Sequence, residues 1–182
     1  MIAQDEIRTT GSCAGVVGTL MSNLGFELAL QKLQVPFARA KVGDRYVNER
    51  MKVEGWTLGG ENSGHIICAD VTTTGDGLVA ALKVLLAVVG SQIPLHDLVA
   101  GMSKFPQVMI NVAMSDSGKL AANSAIDQAV AAAESVLAGR GRVLLRPSGT
   151  EPVVRVMVEG EDGELVSRLA KEIAAVVKAE LA

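Results

Sequence analysis

Aromatic side chains are nearly missing: three Phe, one Trp and one Tyr in 182 residues. Single-stranded nucleic acids are held on aromatic platforms within basic grooves. This chain has 17 Lys and Arg against 20 Asp and Glu, so it offers neither. Its formal charge of −3 provides no positive field for a phosphate backbone. Cysteine is as scarce. Cys13 and Cys68 are too few and too badly spaced for a zinc site or a disulfide framework. Reduced thiols fit the cytosol, and the cytoplasm is the expected compartment. A long hydrophobic run is absent too. The most apolar stretch, residues 78–89, contains Lys83, whereas a membrane span needs about 20 apolar residues. That stretch is expected to be a helix apolar on nearly every face, sandwiched inside a soluble domain. Residues 1–15 carry charges and no apolar core of a secretory signal.

What the chain does contain is a well-filled hydrophobic fraction, 49%, in a length that suits one large domain or two small ones. Residues 16–21 read as a strand. Leu24, Leu28 and Leu33 then mark a helix that ends before Pro36. A strand at 37–42, a polar segment and a helix at 47–54 follow. Residues 66–69 form a further apolar strand, before the helix at 78–89, stopped by Gly90, and a short helix from Pro94. Alternating strands and helices predict an α/β layered domain. After residues 101–106 the rhythm changes. Val108, Ile110, Val112 and Met114 alternate with Met109, Asn111 and Ala113, the mark of a half-buried strand. A loop at 115–118, a helix through Ile126, Val130, Ala133 and Leu137, two strands at 142–145 and 153–159, and a last helix through Leu165, Leu169, Ile173 and Val176 predict a compact two-layer α+β unit. The expected division is therefore a loosely held leader or remnant of a preceding domain at 1–15, an α/β domain at 16–104 and an α+β domain at 105–182.

Two polar loops carry the chemistry. Gly59-Gly60-Glu61-Asn62-Ser63-Gly64-His65 offers a carboxylate, a carboxamide, a hydroxyl and an imidazole between glycines that permit sharp turns. It precedes an apolar strand, and open α/β sheets keep their ligands at such loops. Dense donors and acceptors suit a polyhydroxylated ligand such as a sugar. The same residues also suit a plain glycine-rich turn whose Glu and His face water. In the second loop, Arg146 has a planar fork for phosphate oxygens, Ser148 and Thr150 add hydroxyls, and Gly149 lets backbone amides converge on an anion. Arg155 points opposite to Val154 and Val156 and serves as a second cation at the loop mouth. An ordinary hairpin turn explains Pro-Ser-Gly as well. The glycines between Gly11 and Gly18 have the wrong spacing for a dinucleotide or Walker loop. Ser63 lies outside any nucleophile elbow.

Five segments occur in the order of one known family: residues 16–23 (Val-Val-Gly-Thr-Leu-Met-Ser-Asn), 41–47 (Lys-Val-Gly-Asp-Arg-Tyr-Val), 60–65 (Gly-Glu-Asn-Ser-Gly-His), 72–77 (Thr-Thr-Thr-Gly-Asp-Gly) and 146–152 (Arg-Pro-Ser-Gly-Thr-Glu-Pro). From about Val16 to its end the chain resembles the α-D-phosphohexomutase superfamily. Its Glu-Asn-Ser-Gly-His loop resembles members working on glucosamine phosphates more than those working on glucose or mannose phosphates. The resemblance implies a three-layer α/β domain followed by a small two-layer α+β domain, an antiparallel sheet with helices on one face. These are the third and fourth of four domains around a cleft.

Such enzymes interconvert hexose 6-phosphate and 1-phosphate through a phosphoserine and a bisphosphate sugar, with Mg2+ held by an aspartate-rich loop. By that likeness Lys41, Arg45, Glu61, Asn62, Ser63 and His65 bind the sugar, and His65 is an auxiliary catalytic candidate near the reacting oxygen. Arg146, Ser148, Gly149, Thr150 and Arg155 bind phosphate. Neither the serine loop nor the aspartate-rich loop is found, so no residue is assigned to metal. The expected partners are a hexosamine phosphate and the two missing N-terminal domains. The expected cofactors are Mg2+ in the full-length enzyme and a glucose or glucosamine bisphosphate as intermediate or activator. The chain by itself is expected to lack mutase activity and, with an uncovered interdomain face, to self-associate. A stand-alone sugar-phosphate-binding module, or a fragment of a phosphoglucomutase or phosphomannomutase, is the alternative.

Overall fold

The structure, a computed structural model, describes residues 1–114, 123–149 and 151–181. The loop expected at 115–118, and Thr150, lie outside the described residues. The chain divides into two units, Met1–Ser103 and Lys104–Ala182. No helix among the described residues is long and apolar enough to cross a membrane.

The first unit runs α1 (Ile2–Thr10), β1 (Val16–Thr19), α2 (Leu24–Lys32), β2 (Phe37–Ala40), α3 (Asp44–Glu54), β3 (Leu58–Gly60), β4 (Ile66–Cys68), α4 (Gly77–Ser91) and α5 (Leu95–Val99). Its sheet has the order β2-β1-β3-β4. β1 is parallel to β2 and β3, and β4 is antiparallel to β3. Every residue of β1 is buried, as a central strand covered on both faces requires. Successive side chains leave a strand on opposite faces, and the core divides accordingly. Val16, Leu58 and Cys68 pack with Ala3, Leu30 and Val35 on one face. Val17, Ala40 and Ile67 pack with Val47 and Met51 of α3 on the other. The unit is therefore helix, sheet and helix in three layers.

Several expectations need correction. Residues 1–15 are no loose leader. Ile2–Thr10 is a helix whose Ala3 is buried and whose Ile2 and Ile7 pack into the core, ending at a left-handed Gly11. Its charges hid the apolar face, and one of them, Arg8, pairs with Asp5 at 2.6 Å. α3 begins at Asp44, three residues before the expected start. Leu58–Gly60, of which Gly59 and Gly60 were expected in the polar loop, is a strand, disguised by glycines that weaken strand propensity. Gly59 is required there: a Cβ would lie 2.5 Å from Met51 Sδ and 2.8 Å from Val47 Cγ1. α4 is not sandwiched either. Only Ala80 and Ala87 are buried, while its leucines are exposed. Apolar composition marks a helix for burial but does not say which surface covers it.

The second unit runs β5 (Gln107–Ala113), α6 (Ser124–Leu137), β6 (Gly141–Pro147), β7 (Val153–Gly160) and α7 (Gly163–Leu181). Its sheet, β5-β7-β6, is antiparallel throughout. Val154, Val156 and Val158 of the central strand are wholly buried against residues of α6 and α7 such as Ile126, Leu137, Leu169 and Ile173. Both helices thus cover one face. On the other face the register aligns Gln107, Glu159 and Arg142 in one row, and Asn111, Arg155 and Arg146 in another.

Candidate functional site

The first loop is the β3–β4 hairpin. After the Gly60–Ile66 pair, Glu61 N–H donates to the His65 carbonyl at 2.9 Å and Gly64 N–H donates to the Glu61 carbonyl at 3.1 Å. Gly64 takes φ +98°, a conformation that favours glycine. The turn aims four polar side chains outward, but they do different things. The Glu61 carboxylate accepts from Gly43 N–H at 2.8 Å and so ties the hairpin to the start of α3. Asn62 Nδ2 donates to the Met21 carbonyl at 2.7 Å, bracing it on the β1–α2 turn. Ser63 and His65 are exposed, with Ser63 Oγ 3.1 Å from His65 Nδ1.

Beside the hairpin lies an open groove of about 320 Å³. The start of α3 (Asp44, Arg45, Asn48) forms one wall, Thr73, Thr74 and Gly75 form the other, and Ile67 is among its lining residues. The walls are held together by Asn48 Nδ2, which donates to the Thr73 carbonyl at 2.9 Å, and by a bridge between Ile67 and Gly75. Gly75 also abuts the imidazole: a Cβ there would sit 3.3 Å from His65 Cδ2. Arg45 is solvent-exposed, and its bond to Glu49 at 2.8 Å pushes its pKa up. The Lys41 ammonium lies 5.8 Å from the Tyr46 ring centre. Charges of both signs line this region, which suits hydroxyl groups better than an anion alone.

Sequence reasoning missed Arg39. It donates to the carbonyls of Thr19 and Ser22 at 3.0 and 2.7 Å and pairs with Glu27 at 2.7 Å. It therefore stiffens the turn on which Asn62 leans. Nothing in the alternation Phe37-Ala38-Arg39-Ala40 announces that role.

The second loop joins β6 to β7. Arg146 and Arg155 face each other across the two strands. Like charges in that relation are destabilising, and the Nε of both is buried with no hydrogen-bond partner among the described residues. Arg155 Nη2 reaches Glu151 Oε2 at 3.2 Å and, more distantly, Ser148 Oγ at 3.4 Å. The turn closes through Ser148 N–H to the Val153 carbonyl at 2.8 Å. A Cβ on Gly149 would meet nothing within 4 Å, so packing does not explain that glycine. Two guanidinium groups on paired positions have the charge and the fork of donors that suit an oxyanion. At the far end of β7, by contrast, the wholly buried Glu159 is satisfied by Arg142 Nε and by Gln107 Nε2, the latter at 2.9 Å.

Among the described residues no three His, Cys, Asp or Glu side chains converge as a metal-binding group. The cysteines are poor nucleophiles. Burial, reinforced by Glu6, pushes the Cys13 thiol up to about 11, and burial pushes Cys68 up as well.

A three-layer unit with a polar hairpin, followed by a two-layer unit with an arginine pair, has a known counterpart. Residues 1–105 match the phosphoglucomutase/phosphomannomutase alpha/beta/alpha domain III, and residues 109–176 match the C-terminal domain of the same group. The chain belongs to the phosphoglucomutase/phosphomannomutase family. Within it, the chain is 62% identical over 181 residues to the phosphoglucosamine mutase of Cellvibrio japonicus and 60% identical over 174 residues to that of Aeromonas salmonicida. The matches take in 100% and 96% of this chain but 41% and 39% of those relatives, so the chain spans about two fifths of their length. The fold is also that of Aspergillus fumigatus N-acetylphosphoglucosamine mutase, solved with GlcNAc-6P and magnesium. There the TM-score is 0.79 at 19% identity, over 100% of this chain and 42% of that one.

Proposed function

We propose that the chain is the substrate-recognition part of a phosphoglucosamine mutase, an isomerase that interconverts glucosamine 6-phosphate and glucosamine 1-phosphate. The observation that carries this reading is the arginine pair. Arg146 and Arg155 are held face to face with unsatisfied Nε donors, an arrangement whose repulsion a bound phosphate relieves. Phosphoryl transfer depends mostly on positioning and charge stabilisation, so a mutase needs a fixed grip on the phosphate that is not moving. Ser148, Gly149 and Thr150 complete that grip. The domain at 105–182 is thereby assigned to phosphate and the domain at 16–104, with residues 1–15 packed into it, to the sugar.

In the first unit Ser63 and His65 are the groups that meet sugar hydroxyls, with Lys41 and Arg45 at the border. Glu61 and Asn62 hold the hairpin in place as well as contributing acceptors. Because the Ser63 hydroxyl lies against Nδ1, proton exchange with the sugar falls to Nε2 of His65. In the complete enzyme a phosphoserine gives its phosphoryl group to the free hydroxyl of the sugar monophosphate. The other phosphoryl group of the resulting bisphosphate then returns to the serine. No stretch of the chain resembles the serine loop or the aspartate-rich loop of the family, and on this reading the chain alone binds substrate without turning it over. The reading places it in the cytoplasm.

Calorimetric titration with inorganic phosphate and with glucosamine 6-phosphate tests the reading. We expect weak binding of both, lost in Arg146→Gln. Unchanged binding in Arg146→Gln and in Arg155→Gln would overturn the phosphate assignment. Turnover by the purified chain, with longer enzyme excluded, would overturn its inactivity.

A further inference from the structure

The helix-free face of the second unit's sheet carries one pattern twice. Gln107 on β5, Glu159 on β7 and Arg142 on β6 stand in one row, and four residues along each strand Asn111, Arg155 and Arg146 stand in another. Each row is a carboxamide, a charged centre and a guanidinium. In the first row the centre is an anion that both flanks bond: Gln107 Nε2 donates to Glu159 Oε2 at 2.9 Å, and Arg142 Nε donates to Oε1. In the second row the centre is a cation, Arg155, and no acid stands beside it. Glu159 is too remote to serve both rows, since four residues of strand span about 13 Å. The Glu151 carboxylate, mostly in water, meets Arg155 at Nη2, at 3.2 Å. The Nε of both arginines stays buried without a partner among the described residues.

The member that the second row lacks is thus an anion, and Asn111 stands where Gln107 stands in the first. Val108, Ile110 and Val112 pack toward the helices, so alternation turns Asn111 to the other face, where it is exposed. Neighbouring strands lie about 4.8 Å apart, so an oxyanion over Arg155 is one strand from Asn111 and one from Arg146. We propose that Asn111 is a further phosphate-binding residue, its Nδ2 donating to the oxyanion held by Arg155 and Arg146 as Gln107 Nε2 donates to Glu159. A neutral carboxamide adds a donor there without adding a third positive charge. The inference rests on the phosphate reading and gives it a contact from a strand outside the loop that follows Arg146.

Phosphorus NMR titration of the whole chain with inorganic phosphate tests it, in Asn111→Ala, in Asn111→Asp and, as a control from the matching row, in Gln107→Ala. We expect affinity to fall at least about fivefold in Asn111→Ala, through the loss of one hydrogen bond to a charged acceptor. In Asn111→Asp the new carboxylate supplies the row's anion itself. Phosphate binding should then be lost while the melting temperature without phosphate holds or rises, since opposite charges on facing strands attract. Gln107→Ala should bind phosphate as the parent does. Arg146→Gln and Arg155→Gln, titrated alongside, separate two failures. If they lose phosphate while either Asn111 variant keeps parental affinity, the role of Asn111 is overturned and the phosphate reading stands. If both arginine variants bind as the parent does, the two fall together. Equal losses in Gln107→Ala and Asn111→Ala would also overturn the proposal, because a loosened sheet would then explain them.

Discussion

Arg146 and Arg155 stand directly opposite one another on neighbouring antiparallel strands, and each keeps a buried Nε without a partner among the described residues. Opposed like charges cost a few tenths of a kcal/mol up to about 1 kcal/mol. Arg146→Gln should therefore leave the second unit as stable as before, or slightly more so, while removing its response to phosphate. Thermal unfolding with and without phosphate reads both effects. The parent chain should melt higher with the anion, and the variant should not.

The Glu61 carboxylate ties the hairpin to the start of α3. Removing a hydrogen bond to a charged acceptor costs about 1.5–3 kcal/mol when the partner is left unsatisfied, and Gly43 N–H would lose Glu61. Partial exposure of Glu61 places Glu61→Ala toward the lower figure. Glu61→Gln keeps a carbonyl oxygen in place and should cost clearly less. Urea unfolding of the three proteins ranks them.

Two glycines make opposite predictions. At Gly59 a Cβ would collide with Met51 and Val47, and overpacking of this kind costs about 1–3 kcal/mol. At Gly149 it would meet nothing, so Gly149→Ala should change stability by less than about 0.5 kcal/mol. It should nevertheless weaken phosphate binding, if the open space is where the anion sits.

Alkaline stability should report Cys13. The folded thiol is held up at about 11 against an ordinary value of 9.0, so the fold favours the neutral form. Its stabilising contribution is complete below pH 9 and is lost as pH rises through 11, because the unfolded thiol ionises first. Urea midpoints between pH 8 and pH 10.5 should fall more steeply for the parent chain than for Cys13→Ala. Parallel slopes would sink the idea.

At the opposite end of β7 from the arginine pair, Arg142→Met would remove the cation paired with the buried Glu159 carboxylate. Breaking a buried pair on one side costs about 3–5 kcal/mol, and Gln107 remains as only a partial substitute. Replacing Arg142 and Glu159 together by apolar residues should cost less than that single change, and a double-mutant cycle measures the difference.

Much of the architecture was legible in the chain because it is local. The alternation from Val108 to Met114 requires only that one face be covered, and it marks β5 within a residue at either end. The turn residues around Gly64 and Ser148 located both polar loops. Glycines and charges obscured the rest: Leu58–Gly60 did not read as a strand, and Ile2–Thr10 did not read as a helix.

The sequence by itself determined the layered class, the family motifs and the kinds of groups the loops carry, since these depend on periodicity and residue type along neighbouring positions. Only the tertiary structure decided that Glu61 and Asn62 act as braces, that Arg39 supports them, that Arg146 meets Arg155, and that α4 shows its leucines outward. Each of these is a relation between segments far apart in the chain. Strand register and helix packing set such relations, and no stretch of sequence specifies them alone.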